Sequence, residues 1–596
     1  MAVDSDNLYT ARSLPLGKKT IRVFHMKPGD ESDQIQGSLR HLDLDADPPP
    51  QYECISYVWG NPESAKSATI NEKYVIIQKN LYDALRYIRS KTKTVVVWAD
   101  AICINQSDVD EKSYQVALMA EIYRQCSKVH IWLGLPEPGS LTGNPFEFLE
   151  HFVKGRHYYD LPGFHRDTLT GRWTWQENEA CSNILKDFLQ VVESPWWTRA
   201  WTVQECILPR DVLVMFGTWT IEWDYILQSN RMKNRHTDGP EQCCKEAVNV
   251  FTPHQLPSIN EWMWHPGRGQ RFMDVLRGNS SPPWFYQAIL AFSSRQCLDP
   301  RDKIYSMLSL ATHSSYQGFG PNYQENVSTV YIDIFTRMVR ETNGNFTCFM
   351  GGGFGSIMPG LPSWVRDFSQ ARPLAVVAVE ERRILYVTLY QASLTRPLQP
   401  LWDGNRELHY RGTYAETVKA VGLHVSADDT VFREVFGSWL GLCMEAMGTC
   451  DPRVLRITFL RIICGDVCKM LDANKVFRRA KETDFPEDAW DRLIEGDINA
   501  LDPRAYGWGL NFAVRGRCLF TTYSGKMGLC HPNTLPGDEV WVMTGVPVPF
   551  IVRPLEPADA GCAGKYSFLG DCFLDGIMDG ELGEKEKSMS RPIIMI

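Results

Sequence analysis

Hydrophobic and polar positions over the first 225 residues alternate between a strand pattern and a helix pattern. Runs of mostly β-branched residues without alternation, such as Thr94–Ala99 and Val129–Leu133, are typical of strands covered on both faces. Apolar residues between these runs recur at helical spacing, and Asp108 with Glu111 forms a capping box at a predicted helix start. The predicted strands are 21–26, 34–44, 52–57, 68–70, 74–77, 94–99, 129–133 and 211–216. This alternation predicts an α/β domain over 15–225, with a doubly wound and mainly parallel sheet.

Two further regions follow, with different patterns. Residues 226–505 are predicted to be mostly helical, and Asn326–Thr342 shows the clearest apolar stripe. Residues 506–585 switch to short β-like pieces separated by Gly and Pro, which predicts a small β-barrel or β-sandwich. Residues 586–596 are expected to form a flexible tail.

Composition and charge narrow the class of protein. The 596 residues include 71 acidic and 62 basic side chains, a net charge of −9, so the chain lacks the basic footprint of a nucleic-acid-binding protein. No run approaches the roughly 20 apolar residues of a membrane-spanning helix, and the N-terminus lacks a secretory pattern. We therefore expect a cytoplasmic protein without a nucleic-acid partner or a membrane span. The 17 cysteines are expected to be reduced thiols. The pairs Cys243/Cys244 and Cys464/Cys468 lack a matching second pair, so no metal site is expected.

Candidate chemistry gathers where two predicted strands end, because ligands of doubly wound sheets bind outside the carboxyl ends of the strands. The candidate pocket residues at the two ends are Ser56, Tyr57, Trp59 and Gly60, then Asp100, Cys103, Asn105 and Gln106. Two interpretations stay open: these residues form a binding pocket, or they serve only as turn and cap residues. Cys103 is a candidate nucleophile, although no adjacent histidine supports it.

One helix is predicted over Pro195–Ile207, with Ser194 as its N-cap. Trp197, Trp201 and Glu205 are spaced four residues apart, so they would share one helix face. Burying a carboxylate on an aromatic face is costly unless it is paired. Glu205 is therefore either a structural residue with a distant partner, or a functional acid whose pKa is raised in a Trp-walled pocket.

Three ordered segments resemble the signatures of the fungal heterokaryon incompatibility (HET) domain, namely Tyr52–Gly60, Trp98–Gln106 and Arg199–Glu205. Later segments, such as Arg301–Tyr305 and Leu361–Trp364, are similar to long proteins of this family. The resemblance implies a role in non-self recognition between fungal individuals, where fusion of incompatible cells triggers programmed death. It also implies an incompatible allelic or non-allelic protein partner, and it leaves self-association into a homo-oligomer open.

HET domains are in turn distantly similar to TIR domains, many of which cleave NAD with a glutamate four residues after a Trp. Trp201 and Glu205 match that spacing. This resemblance implies a TIR-like fold, Glu205 as the catalytic acid, Arg199 and Trp201 in the pocket, and NAD as a substrate rather than a required cofactor. The alternatives are a non-enzymatic signalling module that acts through oligomerisation or partner binding, with Glu205 structural, and a scaffold for an unrelated activity.

Overall fold

The computed structural model describes residues 18–60, 64–237, 243–263, 284–344, 346–351, 358–370, 372–402, 406–426, 432–469, 477–485, 512–555 and 564–596, with the isolated positions 8, 9, 14, 267, 273, 490 and 493. The chain divides into two compact units. The first unit comprises Met1–Pro282, Arg295–Leu310 and Gly320–Gln324, and the second comprises Pro283–Ser294, Ala311–Phe319 and Glu325–Ile596.

The strands of the first unit follow the predicted strands closely, because each predicted run is apolar and bounded by turn residues. In chain order they are β1 Thr20–Met26, β2 Gln36–Asp43, β3 Glu53–Tyr57, β4 Ala65–Ile70, β5 Lys73–Gln78, β6 Val95–Trp98, β7 Lys128–Trp132, β8 Phe164–Arg166, β9 Trp173–Trp175, β10 Val212–Phe216 and β11 Trp219–Glu222. The hairpin of β8 and β9 stands apart, and the other strands form one sheet.

The order of that sheet is β11-β10-β7-β3-β6-β1-β2-β4-β5. The four central strands β6, β3, β7 and β10 are parallel, as predicted for a doubly wound arrangement. The flanking strands pair antiparallel, apart from a short parallel contact between β2 and β4. The sheet is therefore mixed rather than mainly parallel, because the pairs β1/β2, β4/β5 and β10/β11 have connections too short for a parallel crossover.

Helices connect the parallel strands of the first unit, and nearly all side chains of these strands are buried. The helices are α1 Lys79–Ile88, α2 Asp100–Cys103, α3 Val109–Gln125, α4 Glu147–Val153, α5 Glu179–Val192, α6 Thr202–Ile207, α7 Trp223–Thr237 and α8 Lys245–Val250, with the short helix Asp302–Tyr305. Helix α3 begins as predicted, since the Asp108 carboxylate accepts from the backbone N–H groups of Asp110 (3.1 Å) and Glu111 (3.0 Å).

The single helix predicted over Pro195–Ile207 is wrong. Pro195–Thr198 form a 3-10 turn, Arg199 is extended with φ −79° and ψ 140°, and α6 begins only at Thr202. The backbone of Arg199 forms a parallel bridge with that of Gln296, which removes it from the helical hydrogen-bond pattern. A backbone bridge to a distant segment therefore overrides the local helix signal.

The second unit combines helices with a second large sheet. Its helices include Phe285–Ala291, Val327–Glu341, Leu374–Tyr386, Arg433–Met447, Pro452–Ile463 and Gly583–Met589. Its strands are β12 Leu401–Trp402, β13 Leu408–Val425, β14 Val467–Lys469, β15 Phe477–Arg479, β16 Arg517–Thr522, β17 Met527–Cys530, β18 Glu539–Met543, β19 Pro549–Pro554, β20 Gly564–Asp571, β21 Phe573–Leu574 and β22 Arg591–Met595.

Five of these strands close into a barrel. The ring runs β18-β19-β20-β22-β13 and returns to β18, because β13 pairs with β22 at one end and with β18 further along. Strands β16, β17 and β21 extend the sheet from the second half of β13. Core residues such as Val418, Phe520 and Ile551 are buried in one apolar cluster. Closure satisfies the strand edges that an open sheet would expose.

The flexible tail expected at 586–596 is also wrong. Residues Arg591–Met595 form β22, with Ile593 and Met595 buried between β13 and β20. Their apolar pattern is short, and only the pairing with strands made much earlier in the chain turns it into structure. The region 226–505, expected to be mostly helical, likewise contributes the 18-residue strand β13 to the barrel.

Candidate functional site

The order of the parallel strands indicates where a ligand would bind in the first unit. Along the chain the order is β3, β6, β7, β10, whereas in the sheet it is β6-β3-β7-β10. The connection after β3 and the connection after β7 therefore run in opposite directions along the sheet, and such a switch point opens a crevice outside the carboxyl ends of these two strands. Ser56 and Tyr57 are the last residues of β3.

Glu205 belongs to a buried hydrogen-bond chain at this end of β3. The Ser56 hydroxyl donates to Glu205 Oε2 and accepts a hydrogen bond from Trp196 Nε1 at 2.7 Å. Glu205 is 5 % exposed and Ser56 is 1 % exposed. The three residues come from α6, β3 and the 3-10 turn, so the chain brings together groups about 140–150 positions apart. Trp196 is missing from the predicted pocket, although it lies only three positions before the third motif.

Burial raises the pKa of Glu205 to about 7. The neighbouring Asp100 also raises it, whereas Arg199 and the Ser56 hydrogen bond favour the ionised form and oppose the shift. The carboxyl group is one that gains or loses a proton in the physiological range.

Asp100 follows β6, connects the end of that strand to the end of β3, and lies closer to solvent than Glu205 does. Tyr57 Oη donates to its Oδ1 at 3.0 Å, Trp59 Nε1 donates to its Oδ2 at 2.7 Å, and the backbone N–H of Ala101 donates to Oδ1 at 2.8 Å. Asp100 is half-buried, and Trp59 is 36 % exposed. Four of the predicted pocket residues, counting Ser56, are thus brought together around the end of β3.

Arg199 and Trp201 lie at the same part of the unit in different roles. The Arg199 guanidinium donates to the backbone carbonyl of Tyr57. Trp201 is half-buried and forms a hydrogen bond with Asp302, whose Oδ1 also accepts from Tyr323 Oη at 2.6 Å. Arg199 therefore fixes the end of β3, while the Trp201 indole is anchored to Asp302.

Trp197 does not share a face with Trp201 and Glu205, because the helix predicted for all three is broken. Its ring stacks on Trp223 with centroids 6.0 Å apart and packs edge-to-face on Trp262 at 4.8 Å. Trp197 is 2 % exposed. It belongs to the hydrophobic core.

Cys103 does not have the properties of a nucleophile. It is buried, and burial raises the pKa of its thiol to about 12, so the reactive thiolate is scarce near neutral pH. Gly60 is exposed and has φ +78°, a backbone conformation that favours glycine at the turn after β3.

Asn105 and Gln106 act as turn and cap residues. The Asn105 side-chain oxygen accepts from the backbone N–H of Ser107 at 3.2 Å, and the backbone N–H of Asn105 donates to Glu111 Oε1 at 2.7 Å. Gln106 Nε2 donates to the backbone carbonyl of Asp100 at 3.0 Å. These contacts hold the loop after α2 and, through it, the position of Asp100.

Asn80 is a supporting residue with a role that the sequence did not predict. The N-cap position of α1 is Gln78, so Asn80 lies inside the helix. Its amide donates to the backbone carbonyl of Val58 at 2.7 Å and accepts from Trp132 Nε1 at 2.9 Å. Asn80 therefore ties the carboxyl ends of β3 and β7, the two strands of the switch point.

Comparison with known proteins shows which families two regions of this chain resemble. Residues 52–205 match the family described as heterokaryon incompatibility protein (HET), and residues 494–591 match the Het-6 β-barrel domain. The chain therefore contains a region similar to the HET family and a region similar to the Het-6 β-barrel, and the resemblance predicted from the three motifs is confirmed.

One relative aligns with nearly the whole chain. It is heterokaryon incompatibility protein 6, OR allele, of Neurospora crassa, which is 24 % identical over 690 aligned positions covering 98 % of this chain and 97 % of the relative. No solved structure matches, so the TIR-like fold stays a prediction. Within the described ranges, no helix has both the length and the apolar character needed to cross a membrane.

Proposed function

We propose that this chain acts in fungal non-self recognition and that its first unit binds and cleaves NAD with Glu205. The observation that carries the proposal is the buried Glu205 carboxyl at the end of β3, with its pKa raised to about 7. Beside it, Trp59 and Asp100 form a more exposed aromatic and acidic surface. A cationic aromatic ring such as nicotinamide suits a surface of this kind.

The reaction breaks the bond between the nicotinamide nitrogen and the ribose carbon. The bonding electrons leave with nicotinamide, which departs as a neutral molecule, and the ribose develops oxocarbenium character. Water then adds to the ribose carbon and releases one proton to solvent. An ionised Glu205 beside the ribose would stabilise that positive charge. Because nicotinamide becomes neutral as it leaves with the bonding electrons, no second carboxyl is required to protonate it.

Loss of NAD would explain how recognition leads to programmed cell death. In this proposal an incompatible protein partner, or assembly of the chain with itself, activates the first unit in the cytoplasm. NAD is then a substrate, and no other cofactor is required.

A second candidate function is non-enzymatic signalling through partner binding or oligomerisation. The observation that favours it is that Glu205 is 5 % exposed and already bonded to Ser56, which in turn is bonded to Trp196. A carboxyl satisfied in this way also suits a purely structural role. The two candidates predict different outcomes when the charge at Glu205 is removed.

The test expresses the full chain from an inducible promoter in a fungal host and follows growth and cellular NAD together. The variant Glu205→Gln retains the shape and removes the charge. The matched control is Glu193→Gln, which makes the same change at an exposed residue of the first unit. NAD loss with growth arrest for the wild type and for Glu193→Gln, and neither for Glu205→Gln, would support NAD cleavage.

Growth arrest with unchanged NAD would instead favour the signalling module. Protein levels of all three chains are compared by immunoblot, so that loss of the folded protein is not mistaken for loss of activity.

A further inference from the structure

A cluster of four metal-ligating side chains lies in the first unit, outside the Glu205 site. It consists of His157, His236, Cys243 and Cys244, and one ligand atom from each lies within 4.8 Å of all the others. His157 directly precedes a 3-10 turn after α4, His236 lies in the last turn of α7, and the two cysteines directly precede α8. Three segments of the chain therefore converge on one point.

The distances between the ligand atoms fit a tetrahedral ion. His157 Nδ1 lies 3.3 Å from Cys244 Sγ and 3.4 Å from Cys243 Sγ, and His236 Nδ1 lies 2.9 Å from Cys243 Sγ. The two sulfurs are 4.0 Å apart. Bonds of about 2.3 Å to sulfur and about 2.0–2.1 Å to nitrogen give tetrahedral edges of roughly 3.5 Å and 3.8 Å. Four of the six distances between the ligand atoms are thus close to these edges, and the other two are within 4.8 Å.

The surroundings hold these ligands in place. The backbone N–H of Tyr158 donates to Cys244 Sγ at 3.4 Å, the arrangement that stabilises a metal-bound thiolate. The backbone of His157 is fixed on both sides, since its N–H donates to Asp160 Oδ2 at 2.7 Å and its carbonyl bonds His151 Nε2 at 2.8 Å. The His157 ring stacks on Tyr159 with centroids 5.0 Å apart.

The kinds of ligand atom in the cluster indicate which metal it would bind. Two imidazole nitrogens and two thiolate sulfurs in a tetrahedral arrangement are typical of structural zinc sites, whereas calcium and magnesium prefer oxygen ligands. Four protein ligands would fill the coordination shell and leave no position for a substrate, so the site is structural rather than catalytic.

We propose that His157, His236, Cys243 and Cys244 bind one Zn²⁺ that joins the loop after α4 to the end of α7 and the start of α8. The expectation that Cys243 and Cys244 have no matching partners is thereby reversed, because the partners are two histidines, one of them far away in the sequence. The site is independent of the proposed NAD chemistry. The role of the ion is to stabilise the packing of the loop after α4 against the end of α7 and the start of α8.

The full chain is purified without chelators from cells grown with added zinc, and bound metals are measured by inductively coupled plasma mass spectrometry. We expect about one zinc per wild-type chain. The variant Cys243→Ser/Cys244→Ser should retain at least roughly tenfold less zinc, since two of four ligands are lost. The control Cys297→Ser changes a half-buried cysteine of the same unit and should retain the wild-type amount.

A second measurement uses the wild type alone and so does not depend on whether the variant folds. X-ray absorption at the zinc edge should show two sulfur ligands near about 2.3 Å and two nitrogen ligands near about 2.0 Å. Wild-type protein that holds little zinc and takes up none on addition would overturn the proposal. So would equal zinc loss in the Cys297→Ser control, or a zinc spectrum without sulfur ligands.

Discussion

Replacing Glu205 with Gln should make the first unit less sensitive to pH. In the folded protein this carboxyl has a raised pKa of about 7, whereas in the unfolded chain it titrates near its ordinary value of 4.5. Between about pH 4.5 and about pH 7, Glu205 therefore keeps its proton in the folded state and loses it in the unfolded state. The stability from the protonated carboxyl is fully present below about pH 4.5 and is lost as the pH rises through about 7.

The size of the effect follows from the size of the shift. A rise of the pKa of Glu205 from 4.5 to about 7 changes the free energy of unfolding by roughly 3 kcal/mol between acidic and basic pH, at about 1.4 kcal/mol for each pKa unit. Between about pH 5 and about pH 8, roughly 2–3 kcal/mol of this difference is expressed. The amide of the Glu205→Gln variant does not titrate, so the free energy of unfolding of the variant, relative to wild type, should rise by that amount over the interval.

The assay is thermal melting of the full chain at both pH values, with hydrogen exchange of peptides from β3 and α6 to assign the transition. For a unit of roughly 300 residues, the predicted change is a relative Tm shift of about 3–5 °C in favour of the variant at the higher pH. Glu193→Gln, at an exposed position, should show no such trend. A constant difference between Glu205→Gln and wild type at all pH values would refute the argument that burial raises this pKa.

Three further predictions concern the surrounding structure. Ser56→Ala removes the donor to Glu205 and should cost about 1–3 kcal/mol in chemical unfolding, because a buried carboxyl loses its partner; an unchanged midpoint would contradict the buried hydrogen bond. Deleting 591–596 removes β22 and should lower amide protection in Leu408–Gly412, the part of β13 that pairs with it, and full protection there in the shortened chain would show that the ring is not needed. In the wild type, the Arg517 charge counteracts the effect of burial and holds the pKa of Asp571 low, and Arg517→Ala would leave this carboxylate buried without that charge. The free energy of unfolding, measured by calorimetry, should fall by about 3–5 kcal/mol, and a fall below about 1 kcal/mol would count against the ion pair.

The sequence predicted the first unit well where the signals were local. Strand β7 and the capped start of α3 depend on short apolar runs and on Asp108, all readable from a few neighbouring positions. The break at Arg199 was not predictable in this way. It depends on a backbone bridge to Gln296, and no local pattern shows which distant segment will pair.

The candidate site was predicted as a set of residues but not as a geometry. Position at strand ends selected Ser56 and Asp100, and spacing selected Glu205. That Ser56 lies between Glu205 and Trp196 depends on how three elements pack, which spacing does not reveal. The His157 cluster was missed for the same reason, since His157 is separated from Cys244 by more than 80 positions.

Because β22 closes the barrel and is made last, it determines the order in which the two units can fold during synthesis at the ribosome. About 170 residues separate the end of β13 from β22, so at roughly 5–20 residues per second β13 waits on the order of ten to thirty seconds for this neighbour. During that interval its long edge has no partner from β22 and is open to wrong pairing with other chains. The sheet of the first unit is complete once β11 has been made, long before that point. Newly made chains should therefore carry a formed first sheet together with an open barrel, and should depend on chaperones mainly through the second unit.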